Sequence, residues 1–209
     1  MIALIKTAEP AILARKGRLW TEELLRKIAE GEKITEYLLN RYSHPEVKAA
    51  LILETNGKCA YCESSFTHVT FGDVEHIVPK AADPSLRFSW TNLTIACDIC
   101  NQRKSNRLDI LDPYACDPEE LFNFHGPLMW AVSSSDAAKI TEEVLELNRP
   151  GLVERRKERM ELIRRLLESA DGKSEPVKQV LIERAWREVH NSQPFSACGK
   201  ALLKRMLNT

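Results

Sequence analysis

Four cysteines fall into two C-x-x-C pairs, Cys59-Ala60-Tyr61-Cys62 and Cys97-Asp98-Ile99-Cys100. Between them lie Glu75-His76 and Asn92, and Asn101 follows the last cysteine directly. A C-x-x-C turn aims two thiolates at one ion about 2.3 Å from each sulfur, and two such turns complete a tetrahedral Zn2+ site. The interval from Glu63 to Ala96 exceeds the roughly 15–20 residues of a simple zinc ribbon, so a further structure is built between the knuckles. Two disulfides or four free core thiols are the alternatives, but nothing else in the chain looks secreted. Glu75 offers a hard carboxylate oxygen suited to Mg2+ or Mn2+. His76 offers an imidazole able to act as a general base near neutral pH. Adjacent residues on a strand face opposite sides, so one can ligate a metal while the other addresses a different atom of the substrate.

These side chains need elements to hold them. Val69 to Val78 mixes β-branched residues with Gly72 and reads as a strand or short two-stranded ribbon, stopped by Pro79. Asn92 begins a segment running to Cys97, and zinc at Cys100 would fix the direction of Asn101. Upstream, Met1 to Leu19 is poorly patterned and reads as an extended arm. Thr21 is the expected N-cap of a helix with Leu24, Leu25 and Ile28 as its stripe, ended by Gly31. Ile34 to Arg41 is a second short helical stretch. Ser43 and Glu46 match a capping box for a helix over Val47 to Thr55, with Val47, Ala50, Leu51 and Glu54 on one face and Gly57 closing it. His68 precedes the strand and is a possible substrate contact; Trp90 reads as a core anchor.

Downstream, turn signals and aromatics crowd residues 108–130, and the polar turn Ser133 to Asp136 predicts a hairpin between Met129–Val132 and Ala138–Ile140. Helices are expected over Thr141 to Leu147 and Leu152 to Ser169, the second burying Met160, Ile163 and Leu167. Pro176 opens another, with Val177, Val180, Leu181 and Trp186 on its apolar side. Ala197 to Leu207 is the last.

With 209 residues the chain holds one domain with a sizeable appendage, or two small ones. A formal net charge of zero argues against a protein wrapped wholly in nucleic acid, while leaving room for local patches. One such patch is Asn101 to Arg107, where Arg103, Lys104 and Arg107 meet no acid; it is the candidate phosphate contact, with a merely solvated basic loop as the alternative. The helix beyond Arg149 is also basic, and a nucleic-acid face and a solvated helix surface fit it equally. Cys116 and Cys198 read as small apolar fillers. Unpaired thiols beside zinc thiolates fit a reducing cytosol. Lys6 and Glu9 interrupt the start that a signal peptide would need, and no run reaches the ~18 apolar residues of a membrane span, so a cytoplasmic protein is expected.

The order C-x-x-C, Glu-His, Asn-Leu, C-x-x-C-Asn-x-x-Lys resembles the HNH endonucleases, whose active site is a ββα-metal fold. The resemblance implies an α+β protein: an HNH core at residues 57–110 stapled by a four-cysteine zinc site, an N-terminal arm and helices at 1–56 serving partner docking, and a loop, hairpin and C-terminal helical region at 111–209. It implies His76 as the base that activates water, Glu75 and Asn101 as ligands of a catalytic Mg2+ or Mn2+, Asn92 as the residue holding loop and histidine, and Lys104 near phosphate. Glu75 stands where the family more often has Asp, and Asn101 where it more often has His, which leaves the choice of metal open. Leu111-Asp112-Pro113 and the stretch Thr141-Glu142 through Leu147-Asn148-Arg149 to Leu152 look like the PtuB-like HNH subunits of Septu-type and retron-associated anti-phage systems. That likeness implies an SMC/ABC-like ATPase partner, in some systems a retron reverse transcriptase with its RNA–DNA hybrid, a DNA or RNA substrate, and no membrane. The competing reading is a non-catalytic zinc adaptor that docks an ATPase or nucleic acid.

Overall fold

An antiparallel ribbon of β1 (Asp73–His76) and β2 (Leu93–Ala96) forms the middle of the fold, with pairs Asp73–Ala96, Val74–Ile95, Glu75–Thr94 and His76–Leu93. β2 runs into α4 (Asp98–Lys104), which completes a ββα unit. The computed structural model describes residues 1–67 and 70–208; His68, and with it the start of the expected ribbon at Val69, lies outside them. Gly72 enters β1 at φ +61°, and a Cβ there would lie 2.5 Å from the Phe66 ring and 3.1 Å from the Ala96 carbonyl, so no other residue fits without displacing them. All four residues of β2 are buried, because other parts of the chain cover both of its faces.

The N-terminal flank differs from its sequence reading. α1 runs Ala11–Ala29, starting after Pro10 rather than at Thr21. Thr21 sits mid-helix and donates its hydroxyl to the Gly17 carbonyl at 3.0 Å. The buried stripe is Leu13, Gly17, Trp20 and Leu24, a helical spacing hidden in the sequence by a glycine and by the exposed Arg15, Lys16 and Arg18. The first ten residues are not a free arm: Met1 and Ile2 are buried, and Glu54 accepts from the Thr7 amide at 2.8 Å and pairs with Lys6 at 3.0 Å. After α2 (Glu36–Leu39) and a 3-10 turn at Arg41–Ser43 comes α3 (Pro45–Glu54). Its cap is His44, whose Nδ1 accepts from the Glu46 amide at 3.2 Å, not Ser43. Pro45 at the first helical position moves the cap by one residue, and the Glu46 carboxylate instead accepts the Ile12 amide of α1.

The C-terminal flank begins with α5 (Pro118–Leu121) and a hairpin of β3 (Phe122–His125) with β4 (Leu128–Ala131). Its turn is Gly126-Pro127, with Gly126 at φ +60°, not the serine-rich stretch. Ser135 there does the other thing such residues do, capping α6 (Asp136–Val144) by accepting from the Ala138 amide. α7 (Pro150–Glu168) buries Met160, Ile163 and Leu167 as expected, and α8 (Glu175–Glu188) and α9 (Ser196–Leu207) pack on it. On α8 the expected apolar side is exposed: Val180 is 59% accessible and Trp186 40%, while Ala185 makes the contact. Among the described residues no helix is long and apolar enough to cross a membrane.

Candidate active site

The four knuckle cysteines converge. Their sulfurs all lie within 4.8 Å of one another, with Cys62 and Cys97 at 3.9 Å, the separation that tetrahedral thiolates about 2.3 Å from one ion require. Burial and three sulfur neighbours push the Cys59 thiol well up, so the set cannot ionise together without a cation. These donors fit zinc. The Arg149 guanidinium reaches Cys100 Sγ at 3.6 Å and Cys97 Sγ at 3.9 Å, placing one positive charge against the thiolates. Its neighbour Asn148 grips β4, accepting from the Met129 amide at 2.9 Å and donating to the Met129 carbonyl at 2.6 Å. The Leu-Asn-Arg stretch therefore joins hairpin to knuckle. Glu63, in the first knuckle, accepts from Ser196 Oγ at 2.9 Å at the start of α9.

Beside the knuckle a cleft of about 560 Å3 is lined by Asp73, Glu75, His76 and Asn101, with Tyr42, Lys48 and Lys80 on its walls. Glu75 and His76 are consecutive, yet both reach it, since β1 has a strand on one side only and ends at His76. His76 is 3% exposed. Its Nε2 lies 2.9 Å from the Arg87 carbonyl, which can only accept, so Nε2 carries the proton and Nδ1 keeps its lone pair. The ring packs edge-on against Tyr42 at 4.5 Å. Burial, with the nearby Lys80, Arg87 and Lys104 charges, holds the imidazole at about 4 against the pull of the Arg87 carbonyl, which makes it neutral at physiological pH.

Asn92 clamps the loop after β1. Its Oδ1 accepts from the Val78 amide at 2.8 Å, and its Nδ2 donates to the Val78 carbonyl at 3.0 Å and the Leu86 carbonyl at 3.3 Å. That closes the connection which brings Arg87 over His76. Asn101 donates its Nδ2 to Asp73 at 2.8 Å, which leaves Oδ1 as its free acceptor. Burial pushes the Glu75 carboxyl up from its ordinary range, against Lys104 at 2.7 Å. Glu75 and Asn101 thus present oxygen donors of the kind Mg2+ and Mn2+ take.

The three basic residues expected to meet phosphate are placed differently. Lys104 is 1% exposed and spans Glu75 and the His76 carbonyl, the latter at 2.8 Å, so it organises the site from beneath. Arg103 pairs with Glu146, and Arg107 with Asp109 at 2.6 Å. Charge counting along the sequence cannot see these partners, which come from distant or turning segments. The same holds for the basic stretch of α7: Arg156 is buried against the Leu147 carbonyl, and Arg159 pairs with Glu188. Sequence reasoning missed Asp73, Tyr42 and Lys80. For Asp73 a signal existed, since it stands two residues before Glu75 and shares its strand face. Tyr42 has none, being brought in by the 3-10 turn.

Residues 59–107 match the family model for HNH endonuclease. The chain carries an HNH endonuclease domain. Of its curated relatives, the Septu protein PtuB of Bacillus thuringiensis is 31% identical over 134 residues, covering 58% of this chain and 50% of the relative. The Septu protein PtuB of Bacillus mycoides is 30% identical over 161 residues, covering 59% and 55%. The chain spans about half the length of the curated relatives it matches. The HNH domain contains both knuckles, β1, β2 and α4, and therefore every candidate catalytic residue named from the sequence.

Proposed function

We propose that the chain is a metal-dependent nuclease hydrolysing phosphodiester bonds of DNA or RNA. The observation that supports this most is the state of His76: neutral, with its tautomer set by the Arg87 carbonyl, in the cleft that Glu75 and Asn101 line. His76 Nδ1 takes a proton from the water that attacks phosphorus. Glu75 and Asn101 would hold a divalent ion, which when bound stabilises charge on the phosphate oxygens. Asn92 and Tyr42 keep the imidazole in place, and Lys104 holds the Glu75 carboxylate. The four cysteines would hold zinc, whose role is structural.

The likeness to two proteins named Septu protein PtuB supports a place in a Septu-type anti-phage complex. There the chain would cut nucleic acid under control of an SMC/ABC-like ATPase, and in retron-associated versions beside a reverse transcriptase and its hybrid. The flanking helices would carry the docking surfaces, and the exposed apolar residues of α8 are available for it.

The test is cutting of duplex DNA, single-stranded DNA and structured RNA by the zinc-bound chain with Mg2+ or Mn2+. His76→Ala is expected to lower the rate on the order of 10²–10⁴-fold while retaining binding, and EDTA is expected to block the wild type. Undiminished cutting by folded His76→Ala would leave a non-catalytic adaptor as the better reading.

A further inference from the structure

We infer that Lys80, which lies within the loop that Asn92 clamps, is a catalytic residue that contacts the phosphate being cut; this rests on the nuclease reading. Two cations line the cleft, Lys48 from α3 and Lys80 just past Pro79. Arg103, Lys104 and Arg107 each have a carboxylate partner. Lys80 differs: among the described residues no carboxylate lies within 4.0 Å of its ammonium. Its protein contacts are the Tyr42 hydroxyl at 3.0 Å and the face of the same ring, 4.9 Å from the centroid. A neutral hydroxyl uses one of three ammonium donors and leaves the charge uncompensated. Tyr42 is also the residue packed edge-on against His76, so one side chain fixes both the base and the cation.

The position of that charge matters. Lys80 lines the same cleft as Glu75 and His76, and its ammonium is held there by the Tyr42 ring that also packs on His76. Half-buried and held by a ring on one side, the ammonium is pre-aimed and loses little freedom on meeting an anion. A phosphodiester gains negative charge on its non-bridging oxygens as water adds, so a fixed donor there favours the transition state over the ground state. Lys104 cannot do this, since it is 1% exposed and already engaged.

The experiment compares the zinc-bound full chain with Lys80→Gln, Lys80→Arg and Tyr42→Phe on the same three nucleic acids. Binding is followed separately in the His76→Ala background as salt is raised. Lys80→Gln is expected to lower kcat on the order of 10²-fold, as loss of one transition-state donor does, with zinc content and melting temperature unchanged. Its salt slope for binding is expected to fall by about one, the signature of one lost phosphate contact. Lys80→Arg, which keeps the charge, is expected to restore most of kcat. If Lys80 merely props Tyr42, then Tyr42→Phe will reproduce the whole Lys80→Gln loss, and the inference is overturned. Wild-type cutting with Lys80→Gln equally fast and equally salt-sensitive overturns it too, while leaving the nuclease reading intact. No cutting by the wild type on any of the three, indistinguishable from His76→Ala, would instead remove the reading beneath it.

Discussion

The two flanks of the HNH domain look alike in composition, both largely helical and charged, and neither carries a residue named from the sequence as catalytic. They do different work. The N-terminal flank reaches the cleft, placing Tyr42 against His76 and Lys80, and Lys48 on the wall. The C-terminal flank reaches the knuckle, placing Arg149 against the cysteine sulfurs and Ser196 against Glu63. The N-terminal flank thus lines the candidate site and touches the knuckle through the Met1 amino group on Glu63 at 2.7 Å, while the C-terminal flank bears on the knuckle sulfurs. Neither is an appendage to a self-contained nuclease, since each supplies side chains to a site built by residues 59–107.

That division of labour can be broken at four points. The largest effect belongs to the staple itself: Cys59→Ser is expected to unfold the domain, because structural zinc binding is part of its folding free energy. Loss of the folded far-UV dichroism together with zinc would show it; a folded, zinc-free Cys59→Ser protein would contradict it. Next, Arg149→Gln is expected to weaken zinc retention about 10–100-fold, the usual range for a residue supporting metal ligands. Competition with a chromogenic chelator reads this directly, and cutting by the zinc-saturated variant should stay near wild type if the flanks are separable. Smaller still is Tyr42→Ala. Loss of an edge-on aromatic contact worth about 0.5–1.5 kcal/mol corresponds to a fall in kcat of up to about tenfold, with zinc retention untouched.

The smallest expected effect is on pH. Because His76 stays unprotonated down to about 4, the rate attributable to this base should be flat between about pH 5.5 and 8. An ordinary histidine would lose half its base form near 6.5. For stability the sign follows from the same depression: the unfolded chain binds the proton first, so burying a neutral His76 is penalised as pH falls from about 6.5 toward 4. A rate profile bending near 6.5 would place the imidazole in water and undo the geometry above.

Some of this was readable without coordinates. The two C-x-x-C pairs require four sulfurs to meet, and they do. Gly57 closes α3 at φ +68°, a local consequence of backbone chemistry, whereas β1 ends at His76, before Pro79 is reached. Errors came where a local signal had two meanings. Ser133 to Asp136 suits a turn or a helix cap, and the competing Gly126-Pro127 turn decided for the cap. The sequence puts Val177, Val180, Leu181 and Trp186 on one apolar side of α8, but burial needs a neighbour, and α7 and α9 meet α8 on its Ala185 side.

The sequence by itself named the candidate ligands and reacting groups, because metal coordination and proton transfer tolerate few residue types and those types recur at fixed spacings; the fold brings the four cysteines together, and Glu75, His76 and Asn101 into one cleft. Only the tertiary structure decided which cations face the cleft and which are spent. Lys104 and Lys80 are equivalent as letters, and one is paired with Glu75 while the other meets only the neutral Tyr42 among the described residues and lines the same cleft as His76. A charge's effect depends on its distance to its partners and on the solvent it keeps, and both are set by segments far away along the chain.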